Sequence, residues 1–311
     1  MNGEHDSAGE SLQLGSRSHR ASEVVRSYLR TYEKRQESGS VFPNAEASAM
    51  VALAYAESAI ATQTLASRRR LLESIEQITG SAVFQDREGH AIDVVGLAWA
   101  TGYGYLPIDA PPLDVIERAF DSMSDRHAKG LFGVAWRTMF LAAAHPLVNA
   151  QRRGKLTIEL VRRSTYLHQR ILAFLDESLE PLAFHETARL AYHAGWLARE
   201  HVPNAVELRD TAAQLFAHAL SASPFADHQD PDRRREASTV HVAHLLLGAA
   251  ANDKCQFKEM LADYMFNERL DEGRWLLRAT ADDAKRYELS PWVLLAVLQL
   301  SDEILGAVTM A

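Results

Sequence analysis

The chain of 311 residues contains a single cysteine, Cys255. One cysteine closes no intrachain disulfide and cannot build a multi-cysteine zinc or iron–sulfur site; such sparing use fits a reducing compartment, so a cytoplasmic location is expected. Cys255 itself reads as a partly buried helix residue. Lysine is also scarce, six against 27 arginines, and the formal net charge is -8. The basic clusters SRRR (from Ser67) and DRRRE (from Asp232) are short and read as solvated helix ends. No nucleic-acid partner and no anionic membrane surface is therefore expected. No uncharged apolar run reaches about 18 residues, so no membrane span is expected. The first twenty residues lack the apolar stretch of a signal peptide. Abundant Arg and Ala point to a GC-rich bacterial genome.

Several motifs are missing as well. There is no G-x-x-x-x-G-K-[ST] phosphate loop, no G-x-G-x-x-G after a strand and no G-x-S-x-G nucleophile elbow. HETARLAYH is not H-E-x-x-H, because position 189 is Arg. Runs of alternating β-branched residues are also lacking. The single stretch compatible with a short strand or hairpin begins at Gly80.

What is present is helix. After a polar tail over residues 1–20, expected to be disordered, apolar residues recur at intervals of three and four, and Pro and Gly fall between the periodic segments. Residues 21–311 read as a single helical domain. Its segments are of two kinds. One is amphipathic with a charged side, such as TIELVRRSTYLHQRILAFLDES, AVELRDTAAQLFAHAL and the long QFKEMLADYMFNERLDEGRWLLRA. The other is small-residue-rich and apolar nearly all round, such as KGLFGVAWRTMFLAAA and STVHVAHLLLGAAA. A helix with one apolar stripe lies at a surface, and one apolar all round is buried. The kinds alternate six times, with inner segments beginning near residues 45, 91, 129, 184, 238 and 291. The spacing, roughly 38 to 56 residues, suits helical hairpins. The expected fold is all-α, with six outer/inner helical hairpins in a toroid-like arrangement; the alternative is an open α-solenoid.

This alternation resembles the α/α toroids of terpenoid cyclases, lanthionine cyclases and many sugar-processing enzymes. The resemblance is one of architecture and carries over no residues. The D-x-D-D motif of terpenoid cyclases is missing, and DDAKR from Asp282 supplies only the first half of D-D-x-x-D. The zinc ligands of lanthionine cyclases cannot exist with one cysteine.

Polar groups on the inner segments need an explanation, because burying them unpaired is costly. On the fourth, His185, Arg189, Tyr192 and Trp196 follow an i, i+4, i+7, i+11 spacing that puts them on one stripe, flanked by Glu186 and His193. These groups suit acid–base work, with His185 or His193 moving a proton, Arg189 anchoring an anion and Tyr192 donating a hydrogen bond. The competing reading is a polar helix end packed against neighbouring loops. On the fifth, His241 stands as a second acid–base group and His244 lies three residues on; the pair could share a metal, but no zinc spacing is matched and no metal or other cofactor is expected. Trp99, Tyr103, Trp136, Trp196 and Trp292 join His244 as candidate substrate-binding residues. Aromatics at helical spacing, Phe140 included, also serve as ordinary core. Glu57, Asp93, Asp302 and Glu303 are the remaining inner acids, each read as a cap, a salt-bridge partner or a cavity acid, with Asp93 favoured as a helix cap. The loops from Thr101, from His145 and from Glu200 are expected on one rim, as a substrate mouth.

The resulting expectation is an enzyme with an enclosed helical cavity. It would perform metal-independent acid–base chemistry (cyclisation, elimination or isomerisation) on an apolar natural-product-like small molecule or peptide. The alternative is a non-catalytic scaffold that binds a peptide or partner protein. Oligomeric state is open, with a homodimer as one option.

Overall fold

A computed structural model describes residues 49–54, 56–57, 91–104, 130–221, 223, 225, 239–252, 257–269, 277–278, 287–288 and 291–298. The polar tail, the first three amphipathic segments, residues 80–90 of the hairpin candidate, Cys255, both basic clusters, DDAKR, and Asp302 with Glu303 lie outside the described residues.

The described residues are all-α. Helix α1 covers residues 49–54, with 56 and 57 also helical. It is followed by α2 (Ala91–Gly104) and α3 (Gly130–Ala144), the latter running into a 3-10 turn at His145–Leu147. Next come α4 (Ala150–Leu175), α5 (Phe184–Arg199), α6 (Ala205–Ser221) and α7 (Thr239–Ala250). The short α8 (Lys258–Tyr264) leads into a π turn at Met265–Arg269, and α9 covers residues 291–298. The six apolar segments read from sequence are α1, α2, α3, α5, α7 and α9. From Ala91 onward the hairpin candidate is helix. The last amphipathic segment departs from expectation. Its helix gives way to the π turn, and Leu277–Arg278 (β1) pairs antiparallel with Tyr287–Glu288 (β2). Gly273 inside that segment costs a helix about 1 kcal/mol relative to Ala, which the periodicity reading left out.

Burial follows the two kinds. On α4 only one stripe, Leu156, Leu160, Ser164, Leu167 and Ile171, is buried. On α3 ten of fifteen residues are buried, as expected for a helix enclosed by others. Asn149 caps α4 by accepting from the Arg152 backbone N–H at 3.0 Å.

The inner helices α2, α3, α5 and α7 lie side by side and run the same way, because residues pair across them in rising order. Asp93 meets Arg137, and Gly96 meets Phe140. Phe132 meets Arg189, and Trp136 meets His193. His185 meets His241, Gly248 meets Ala188, and Gly195 meets Ala251. The glycines let α5 and α7 approach closely. A Cβ on Gly248 would stand 2.7 Å from the Ala188 carbonyl oxygen. Outer helices α4 and α6 are joined to each other where the Ser164 hydroxyl donates to the Pro203 carbonyl at 3.0 Å and His168 meets Thr211 at 2.9 Å.

Asp93 lies in the first turn of α2 and is a salt-bridge partner, one of the roles open to it from sequence. Its carboxylate accepts from the Arg137 Nε–H at 3.1 Å, a buried ion pair that ties α2 to α3. A carboxylate this buried needs a charged partner, and the facing helix supplies one.

Candidate functional site

Helix α5 carries most of the candidates. Its start has no side-chain acceptor, because the N-cap residue is Ala183; instead Glu186 reaches back and accepts from the Ala183 N–H at 3.1 Å. Glu186 thus secures the helix end that presents His185.

His185 and His241 form the tightest contact between α5 and α7. Their rings stack at 3.9 Å between centroids with planes 11° apart, and His244 lies 5.9 Å from His185. Phe184 meets both rings edge-on, at 5.8 Å from His185 and 6.2 Å from His241. Burial lowers the pKa of His185, with His241 as the next cause, and burial likewise lowers His241. Both are half-buried, and both are neutral at pH 7. Stacked rings hold their in-plane lone pairs side by side and do not converge them on a point. Among the described residues no group of three or more His, Cys, Asp or Glu is arranged to hold a metal ion.

One turn along α5, the Arg189 guanidinium lies between two ring faces, 4.1 Å from the Phe132 centroid and 4.8 Å from that of Trp292. Trp292 also meets Trp136 at 6.0 Å and stands edge-on to His244 at 4.4 Å. One side chain from α9 therefore touches α3, α5 and α7 together. His244 is buried, and neither of its ring nitrogens finds a hydrogen-bond partner among the described residues. Burial, reinforced by the Arg189 charge, pushes its pKa down to about 2.

His193 stands apart from the His185–His241 pair. It is two turns further along α5, fully buried, with Nδ1 2.9 Å from the Met139 sulfur and its ring 4.5 Å from Trp136 in an edge contact. Tyr192 is buried beside it. Trp99 and Trp136 are core residues of α2 and α3. Tyr103 belongs to α2, but its side chain lies outside the described residues. The single stripe expected on α5 therefore divides. His185 and Arg189 meet the aromatic cluster, while Trp196 lines a small cavity at the other end of the helix.

A larger groove of about 1050 Å³ lies between the ends of α4 and α6 and the start of α5. Phe174, Leu179, Leu182 and Leu215 give it an apolar wall, and Glu177 and Glu180 line it as well. Phe184 belongs to this wall and also contacts the histidine pair. The sequence reading missed Phe132, Phe184 and this groove. The interruption of helix by ESLEPL was the available signal, since a non-repeating loop with Pro181 must turn the chain between α4 and α5.

No protein-family model matches the chain, and no curated protein or solved structure matches it either.

Proposed function

We propose that the protein is an acid–base enzyme that works without a metal. An apolar substrate lies in the groove lined by Phe174, Leu182 and Phe184, and the His185–His241 pair moves a proton on it. The observation that carries this reading is the stack itself. Two half-buried imidazoles, 3.9 Å apart and of lowered basicity, contact Phe184, which lines the apolar groove although neither imidazole does. A neutral imidazole near pH 7 is a competent general base. One ring accepts a proton from a substrate carbon, and the imidazolium so formed returns that proton at a second position, which leaves both rings neutral again. Arg189 offers positive charge to the oxyanion that forms, and its two flanking rings hold the guanidinium in place. Isomerisation, elimination and cyclisation all fit this pattern. The row of parallel inner helices, with Trp292 reaching three of them, supports a ring of the α/α toroid kind closing around the cluster.

A second reading, a groove that binds a peptide without chemistry, is favoured by the groove's own lining of exposed acids around an apolar wall. Proton exchange separates the two. The protein is incubated in D2O with apolar carbonyl compounds and with cell extracts, and mass gain is read by mass spectrometry. The enzyme reading expects protein-dependent deuterium uptake at carbon that falls at least ~100-fold in His185→Gln or His241→Gln. Absence of uptake, or uptake unchanged in both variants, leaves the binding reading in its place.

A further inference from the structure

Helix α4 carries two apolar stripes. The inner one, Leu156, Leu160, Ser164, Leu167 and Ile171, is buried in the fold. The outer one faces away from it. Of the five large apolar side chains exposed among the described residues, four stand on α4: Ile158 at 70%, Leu172 at 45%, Tyr166 at 43% and Val161 at 37%. One such residue is ordinary on a surface, but four on one helix form a pattern. At about 100° per residue, Ile158, Val161, Thr165 and Leu172 fall within about 60° of arc and run about 21 Å along the axis. In a heptad repeat they take positions a, d, a and a. The d position between the last two is His168, which turns aside to Thr211 on α6 at 2.9 Å. So narrow a stripe is the seam of a helix–helix contact, whereas a helix lying on a broad apolar medium needs a wider face.

Charge sets the chemistry of the partner. Helix α4 carries six Arg and Lys residues against one acid, Glu159, in a chain whose net charge is -8. In the same register Lys155 and Arg162 take e positions along one edge of the seam, where coiled coils place the charges that choose a partner. Glu159 is held by Arg162 at 2.8 Å and Arg163 at 3.2 Å, so it adds no acid to that edge. A second copy packed antiparallel would set Lys155 and Arg162 against their own like charges. Packed parallel, it would set them against Ala150 and Thr157, which carry no charge. A helix with acidic flanks satisfies both the seam and its edge.

We infer that the outward face of α4 is a docking surface for an acidic amphipathic helix of a partner protein. The partner's apolar side chains lie along Ile158, Val161, Thr165 and Leu172, and its carboxylates meet Lys155 and Arg162. The surface shares no residue with the histidine pair or with the groove at Phe184, so it stands apart from the proposed chemistry.

Fluorescence anisotropy of two labelled peptides with the full chain tests this. Both are about three heptads long with leucine at a and d, one with glutamate and the other with lysine at e and g. The acidic peptide is expected to bind with a Kd on the order of 10 µM, and the basic one at least ~10-fold more weakly. Ile158→Ser combined with Leu172→Ser is expected to weaken the acidic peptide at least ~10-fold, and Lys155→Glu combined with Arg162→Glu to reverse the preference between the peptides. All four side chains are exposed, so these variants keep the fold, with circular dichroism as the check. The inference is overturned if the acidic peptide does not bind below about 1 mM, if both peptides bind equally, or if neither pair of substitutions changes binding. It is also overturned if the peptide fails to bind while the serine pair abolishes cosedimentation with phosphatidylglycerol vesicles or self-association in ultracentrifugation, because lipid or a second copy is then the occupant.

Discussion

Arg189 and Trp292 meet face to face: the guanidinium carbon lies 4.8 Å from the centre of the indole, and Phe132 closes its other side at 4.1 Å. This contact joins α5 to α9 across more than a hundred residues of chain. A planar guanidinium stacks where a compact ammonium does not, so Arg189→Lys is not a conservative change. It is expected to destabilise the protein by about 1–2 kcal/mol, and Trp292→Ala by about 3–5 kcal/mol. In urea unfolding, a double-mutant cycle with Arg189→Met and Trp292→Leu is expected to show about 1 kcal/mol of coupling. Additive single effects would mean that the two side chains do not support each other.

The crossing of α5 and α7 makes a prediction of opposite signs. Alanine at Gly248 would put a methyl 2.7 Å from the Ala188 oxygen, and alanine at Gly195 would put one 2.6 Å from the Ala251 Cβ. Each is expected to cost about 1–3 kcal/mol despite the better helix propensity. Gly154→Ala on α4 meets nothing within 4 Å and is expected to gain about 0.5–1 kcal/mol. Thermal midpoints should fall for the first two and rise for the third.

Acid should weaken the fold through His244. Its native pKa is pushed from 6.5 down to about 2, so the unfolded chain takes up the proton first. The contribution to stability is therefore complete above pH 6.5 and is lost as pH falls below it, by about 1.4 kcal/mol per pH unit while only the unfolded state is protonated. His244→Leu is expected to flatten the decline between about pH 6 and 4.5 by that amount. Equal slopes for both proteins in denaturant titrations would contradict the burial of this ring.

Helix α4 ends with Glu177 at φ 60, the left-handed position that glycine fills most easily. Glu177→Gly is expected to raise stability by about 0.5–1 kcal/mol, measured by thermal unfolding.

Which segments are buried helices was legible in the sequence, because near-continuous apolar surface distinguishes α1, α2, α3, α5, α7 and α9 without knowledge of their neighbours. The partners across helices were not legible. Asp93 looks like a cap at the start of α2, and nothing local shows that Arg137, a helix away, turns towards it. Spacing put Trp196 on the stripe of His185, yet a stripe three turns long passes different neighbours at each end. Trp292 was a candidate for the site. That it touches α3, α5 and α7 together depends on where α9 packs, which periodicity does not encode. The groove beside Phe184 is built by a loop and two helix ends, and such shape leaves no repeat to read.

The proposed chemistry stands on the protonation state of two stacked rings. The most direct measurement is a nitrogen-detected NMR titration of His185 and His241 in the full chain, assigned with single glutamine variants. The account predicts that both rings are neutral at pH 7 and titrate below 6.5, and that replacing His241 raises the pKa of His185 by removing a neighbouring positive charge. A ring that titrates at or above 6.5, or a His185 pKa indifferent to His241, would contradict it.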